Sequence, residues 1–191
     1  VRAGLKPVLV EPDDHTYNLD PHAVERHITS KTKAILAVHL YGQMADMPAI
    51  MAMAKQYGLS VIEEAAQAHG ASIHGKKAGS WGDMAAFSFY PTKNLGCGGD
   101  AGAVTGDERY CATVRELRNH GQTEKFNIKR VGWNARMDSI QAEVLLNKLP
   151  LLDKHNKRRR EIAFMYNDQL QDIVKIPYQN KDLHGDQAWR K

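Results

Sequence analysis

The feature that most limits what this chain can fold into is a regular change of hydrophobic period. "KAILAVHLY" (residues 33–41) is a near-continuous apolar run, the pattern of a strand covered on both faces. "DMPAIMAMAKQYG" then sets Ile50, Met53, Ala54 and Tyr57 at helical spacing, with Gly58 as terminator. "LSVIEEAAQ" returns to strand. This alternation predicts βαβ units, and hence a largely parallel sheet with helices on its faces. Upstream, "KPVLVEP" (residues 6–12) reads as a short buried strand. "LDPHAVERHI" reads as a helix with Asp20 as N-cap and Pro21 at its first position.

The rest of the chain keeps to this scheme. Residues 70–81, "GASIHGKKAGSW", are polar and glycine-punctuated, a loop or small hairpin. "MAAFSFYP" is a strand, followed by a glycine-rich turn and a short strand, "GAVTG". "DERYCATVRELRNHG" is helical, with Tyr110, Val114 and Leu117 on one face. Two more helical stretches follow, broken by Pro150, the second carrying "HNKRRRE". The predicted fold class is therefore α/β: a three-layer sandwich around a mixed, mostly parallel sheet.

Composition narrows the function. The 191 residues are 42% hydrophobic and 25% charged, enough apolar material for a core and too much for disorder. A net charge of +4 is too small for a nucleic-acid footprint without a concentrated basic face. "HNKRRRE" lacks interleaved aromatics and reads as a solvated helix face. No apolar run approaches the ~18 residues of a membrane span. Cys97 and Cys111 stand outside any CxxC or zinc spacing, which points to a reducing, cytoplasmic setting. Met44, Met47, Met51 and Met53 read as core filling. His69 and His74 come nearest to metal spacing, but no carboxylate pattern completes a site, so they read as satisfied or surface histidines.

The chemical question is posed by "FSFYPTKNLGCGGDAGAV" (residues 87–104), where one lysine stands between an apolar strand and a glycine-rich turn. A dinucleotide fingerprint needs GxGxxG opening a helix, and these glycines lead into a strand. A P-loop needs its lysine after the glycines, and Lys93 precedes them. In open α/β sheets, ligands bind outside the carboxyl ends of strands. Glu64, ending "SVIEE", and Lys93, just past "FSFY", both leave strands there. A lysine amine can form a Schiff base with an aldehyde cofactor, and an acid can keep a pyridine nitrogen protonated. Pyridoxal 5'-phosphate requires both. Against this stands the plainer alternative that the two are loop-end surface charges.

The motifs, taken together, settle on a family. "VHLYGQMADM", "VIEEAAQAHGA", "GSWGDMAAFSFYPTKNLGCGGDAGAV", "RNHGQ" and "VGWNARMDSIQAEVLLNKLPLLDKHNKRRREIA" resemble, in order and spacing, the DegT/DnrJ/EryC1/StrS sugar aminotransferases. The resemblance implies a dimeric, fold-type I enzyme dependent on pyridoxal 5'-phosphate. Such enzymes move an amino group, usually from glutamate, onto a keto group of a nucleotide-linked sugar. By this resemblance Lys93 is the Schiff-base lysine, Glu64 the partner of the ring nitrogen and Ser88 a ligand of the cofactor phosphate. Gln67 lies against the ring, Asn134 reaches the phosphate of the partner subunit's cofactor, and Arg136 faces the nucleotide-sugar. "EKFNIKRVGWNARMD" is closer to members acting on 3-keto sugars, although Phe126, Asn127 and Ile128 replace a tyrosine and histidines common there. Residues 1–149 correspond to the central part of the cofactor-binding large domain. Residues 150–191 correspond to a helix leading towards a C-terminal small domain that this chain does not include.

The chain departs from the family pattern at Glu64, where aspartate is usual. The acid is kept with one more methylene, which the cofactor or the backbone must absorb. Lysine at position 93 argues against the family's dehydratase branch, which carries histidine there. A second reading is a non-catalytic truncated paralogue or dimer-forming scaffold that keeps the fold without turnover.

Overall fold

The computed structural model describes residues 3–176 and 186–189. In chain order the elements begin with α1 (Pro21–Glu25), whose N-cap Asp20 accepts from the His22 backbone N–H, with Pro21 in the first turn as expected. Strand β1 (Ala34–Val38) leads to helix α2 (Met47–Tyr57), which is capped by the Asp46 carboxylate accepting from the Ala49 N–H and closed by Gly58. Strand β2 (Ser60–Glu64) follows, then a hairpin of β3 (Ser72–Ile73) and β4 (Lys76–Lys77), strand β5 (Met84–Ser88) and strand β6 (Gly102–Gly106). Helix α3 (Glu108–Leu117) precedes a small ribbon of β7 (Gln122–Glu124) and β8 (Asn127–Ile128). Helices α4 (Ser139–Lys148) and α5 (Leu152–Leu170) are separated by a single 3₁₀ turn that contains Pro150.

The central sheet runs in the order β1-β2-β5-β6. β1, β2 and β5 are parallel and β6 is antiparallel to β5, so the sheet is mixed and mostly parallel. Alternation sends Ile35, Ala37, Val61, Glu63, Ala85 and Phe87 to one face. There they meet Met47, Ile50, Met53 and Ala54 of α2 in the main core. The methionines fill that core as expected: Met44, Met47 and Met53 are buried and Met51 packs against them.

Two expectations need correction. Residues 6–12 form no strand. The segment makes only an isolated bridge, Pro12 to Leu19, and Leu9 is 90% exposed, because among the described residues no neighbouring strand pairs with it. β1 is covered on one face only among the described residues: Leu36 is exposed, and so are Ile62 and Val104 on the same face of β2 and β6. α3 is helical as expected, with Val114 and Leu117 of its apolar stripe half-buried and Tyr110 exposed. Cys97 and Cys111 are both free. Residues 177–185, in the stretch expected to lead towards a small domain, lie outside the described residues.

Candidate functional site

The two adjacent glutamates of β2 have opposite fates, decided by the pleat. Glu63 points into the core and is fully buried. Its Oε1 accepts from the backbone N–H groups of Trp81 (2.7 Å) and Gly82 (2.8 Å). Its Oε2 accepts from Gly79 N–H (2.8 Å) and from His39 Nε2 (2.9 Å). His39 Nδ1 in turn accepts from the Ala45 N–H, so the ring is the Nε2–H tautomer and the contact is a hydrogen bond to carboxylate rather than an ion pair. Burial pushes the Glu63 carboxyl upwards, but the donors of His39, Gly82 and Gly79 outweigh it and hold the group below its ordinary value.

Glu64, one residue on, faces the other way, on the open face at the carboxyl end of β2. Its Oε1 accepts from the Ala66 N–H at 3.1 Å. Ser88 ends β5 on the same face by the parallel register that pairs Glu64 with Ala86, and its hydroxyl accepts from the Tyr90 N–H. Gln67 lies in the turn after β2, where its Oε1 accepts from the Tyr41 N–H at 2.8 Å and ties the end of β2 to the loop leaving β1. The ends of three neighbouring strands are thus brought together with Glu64, Gln67 and Ser88 upon them.

Lys93 stands in a tight turn just beyond β5, with its N–H donating to the Tyr90 carbonyl at 2.9 Å. The glycine-rich segment folds back under it: Cys97 N–H donates to the Phe89 carbonyl and Phe89 N–H to the Ala101 carbonyl. Gly96 is required by close approach, since a Cβ there would sit 2.7 Å from the carbonyl oxygens of Tyr90 and Pro91. α4 clamps the segment from outside through Gln141, whose Oε1 accepts from Gly98 N–H at 2.8 Å, and Lys148, which donates to the Gly96 carbonyl. Beneath lies a second small core of Leu95, Cys97, Leu145 and Leu152.

His69 follows the same β2 turn and overturns the expectation of a satisfied or surface histidine. It is 3% exposed, lies 5.6 Å from the Phe87 ring and 5.7 Å from the Phe89 ring, and neither ring nitrogen has a hydrogen-bond partner. Burial lowers its pKa to about 4. The nearby Ser88 backbone opposes this and the Lys93 charge adds to it, which sets Lys93 within electrostatic reach of the β2 turn. A histidine depressed on folding is kept neutral at a cost to stability once the unfolded chain can protonate. Stability should be complete above pH 6.5 and fall by about 3 kcal/mol as pH drops to about 4. In His69→Phe this loss should vanish from urea midpoints measured across that window; an unchanged acid limb would contradict it.

Asn134 and Arg136 are brought together with each other and with Asn119, two residues past the end of α3. Arg136 Nε donates to Asn134 Oδ1 (3.0 Å) and its Nη1 to Asn119 Oδ1 (3.4 Å). Arg136 lines an open cavity of about 510 Å³ with Arg115, Arg118 and Asn119. Exposed Phe126, Ile128, Val131 and Trp133 adjoin this segment in sequence. Among the described residues no three or more His, Cys, Asp or Glu are grouped to hold a metal ion, and no helix is long and apolar enough to cross a membrane.

The sequence reading missed Glu63, Gln141, Lys148 and Asn156. α4 and α5 carried the available signal: Gln141 and Lys148 stand seven apart on one helix face, and Asn156 recurs eight further on. Expected as part of a solvated run, Asn156 is in fact 2% exposed, because α5 turns that position onto the two loops of the site.

The donor set of amine, carboxylate, hydroxyl and amide at the carboxyl ends of neighbouring strands fits an anionic aldehyde cofactor with a basic ring nitrogen. This is a ligand-binding arrangement at the carboxyl edge of an α/β sheet. The chain belongs to the DegT/DnrJ/EryC1/StrS aminotransferase family, whose profile matches residues 1–191. It is 52% identical over 176 residues, 91% of this chain and 48% of the relative, to a protein of Aneurinibacillus thermoaerophilus named dTDP-3-amino-3,6-dideoxy-alpha-D-galactopyranose transaminase. It is 49% identical over 174 residues, 91% of this chain and 47% of the relative, to one of Geobacillus stearothermophilus named pleiotropic regulatory protein. Its fold is similar to the crystal structure of Streptomyces venezuelae DesV in complex with a ketimine intermediate, with a TM-score of 0.88 and 44% identity over 96% of this chain and 50% of that one. The chain spans about half the length of the curated relatives it matches.

Proposed function

We propose that the protein is a pyridoxal 5'-phosphate-dependent aminotransferase that moves an amino group, with glutamate as donor, onto a keto group of a nucleotide-linked deoxy sugar. The observation that carries this reading is the meeting of Glu64, Gln67, Ser88 and the clamped Lys93 turn at the carboxyl ends of adjacent parallel strands. When bound, the cofactor supplies a protonated ring that accepts the electron pair left by Cα–H cleavage. Lys93 would hold the cofactor through its amine and, when freed from it, would carry the proton taken from the substrate. Glu64 holds the ring nitrogen's proton by a charge-assisted hydrogen bond. Ser88 grips the phosphate, and Gln67, already fixed by Tyr41, orients the ring.

Asn134 and Arg136 act across a homodimer, Asn134 on the partner's cofactor phosphate and Arg136 on the nucleotide-sugar. The exposed apolar side chains from Phe126 to Trp133 supply a surface for that contact. The A. thermoaerophilus relative is named for a 3-amino sugar, which supports a 3-keto substrate. Residues 1–149 are the central part of the large domain, residues 150–191 lead towards a small one, and the enzyme works in the reducing cytoplasm. Light scattering should give a mass of two subunits; an active, stable monomer would contradict the shared site.

Glu64→Gln tests the acid. Cofactor binding should survive, because Lys93 and the phosphate contacts remain, while turnover falls by roughly 10²-fold or more, the scale of losing one aligned charge-stabilising contact. Glu64→Asp should hold or raise the rate. Parent-rate turnover in Glu64→Gln ends the assignment. A second reading, a regulator or scaffold without turnover, draws on the name of the G. stearothermophilus relative and on Glu64 itself. It forecasts no half-reaction with glutamate in any variant.

A further inference from the structure

We infer that Asn156 of α5 is a positioning residue for the Lys93 amine, acting through Asn94 to fix the turn that carries the lysine. The inference rests on the reading of Lys93 as the cofactor-bearing amine. Asn94, next to Lys93, is 7% exposed although it sits in a turn at the protein's surface. Its Nδ2 donates to Asn156 Oδ1 at 3.0 Å, to the Trp189 carbonyl at 3.2 Å and to the Ala188 carbonyl. Asn156 Nδ2 donates onwards to the His69 carbonyl at 2.7 Å. One amide therefore joins the loop after β5, which bears Lys93, to the loop after β2, which bears Gln67 and follows Glu64.

The surroundings are built to admit that amide. Gly70 has φ +85°, a region L side chains rarely adopt, and a Cβ on it would lie 2.9 Å from Asn156 Nδ2. Leu152, four residues earlier on the same face of α5, packs into the small core beneath the glycine-rich turn. An apolar side chain at 156 would extend that packing but leave the His69 carbonyl and the Asn94 amide without this partner. A buried amide is tolerated there because both its ends are hydrogen-bonded, and what those bonds specify is the position of the two loops relative to each other. A fixed turn sets the surroundings of the amine, including its distance from the buried His69 ring.

The test uses the protein loaded with pyridoxal 5'-phosphate, its visible absorbance followed against pH while thermal midpoints are recorded separately. Asn156→Ala and Asn94→Ala should each move the pH midpoint of the absorbance by roughly half a unit or more. The double variant should move it no further than the larger single, since both cut one link. Asn94→Ala cuts the link from the side of the turn and leaves the Asn156 bond to His69, so it decides the matter if Asn156→Ala does not fold. A pH midpoint unchanged while thermal stability falls would reduce Asn156 to a helix anchor and overturn the inference, and so would additive shifts. A parent protein that shows no such band, or a Lys93→Ala variant that keeps it, overturns the reading of Lys93 and the inference with it. That outcome is distinct from a normal band that the asparagine variants fail to move.

Discussion

Lys93→Ala is expected to end turnover, by a factor on the order of 10⁴ or more, the scale of removing a residue that forms the covalent link. The fold should barely notice. Lys93 is only half-buried, and the turn around it is held by the Tyr90 carbonyl, by Gln141 and Lys148 of α4 and by Asn94, none of which needs the lysine side chain. A substitution of this kind typically moves stability within about 0.5 kcal/mol. Lys93→Arg separates charge from chemistry: it restores the cation, and with it the electrostatic influence on His69, but offers no amine able to form a Schiff base. Half-reaction kinetics with glutamate, together with thermal melts, check both variants. Loss of activity with an intact melt is the expected pair, and turnover within tenfold of the parent in either variant would contradict the assigned role.

The reverse signature is expected at Glu63. Its carboxylate gathers three backbone N–H groups from the loop before β5 and the ring of His39. Glu63→Ala leaves those donors buried without an acceptor and opens a void in the core, a combination expected to cost about 3–5 kcal/mol. For a chain of this size that lowers the thermal midpoint by roughly 10 °C. Glu63→Gln keeps one acceptor oxygen but turns an NH₂ towards two donors, and should fall between. The pH dependence has a definite sign. The carboxyl is held below its ordinary 4.5 in the folded state, so its contribution is present above that pH and is lost as pH falls through the folded value. It lies on the acid side of most of the His69 window, so His69→Phe and Glu63→Gln should flatten different parts of the stability curve. Melting in Glu63→Ala within 2 °C of the parent would contradict this account of the β2–β5 connection.

How much of this could be read in advance follows from how local each signal is. The βαβ core was legible because α2 carries its own stop in Gly58 and its own apolar face, and because β2 and β5 have strand-like patterns ended by polar groups. The Lys93 turn was legible for the same reason: a strand end, a proline, one amine and a run of glycines are contiguous. Residues 6–12 look like a strand but make only the isolated Pro12–Leu19 bridge, because pairing depends on a neighbour that the segment's own pattern cannot supply. Glu63 and Glu64 are adjacent and chemically identical. Alternation puts them on opposite faces, but which face is covered is decided by the packing of α2, a tertiary fact. Asn156 was hidden in "HNKRRRE", where the surrounding charges signal solvent and only the rotation of α5 shows that one position turns inward.

The central claim is that Lys93 is the amine that carries the cofactor. It is tested most directly by mixing the protein with pyridoxal 5'-phosphate, reducing with borohydride and locating the modified lysine by peptide mass. The account predicts stoichiometric phosphopyridoxyl on Lys93 and none in Lys93→Ala. Label scattered over surface lysines, or a Lys93 left unmodified while the cofactor is present in excess, would contradict it.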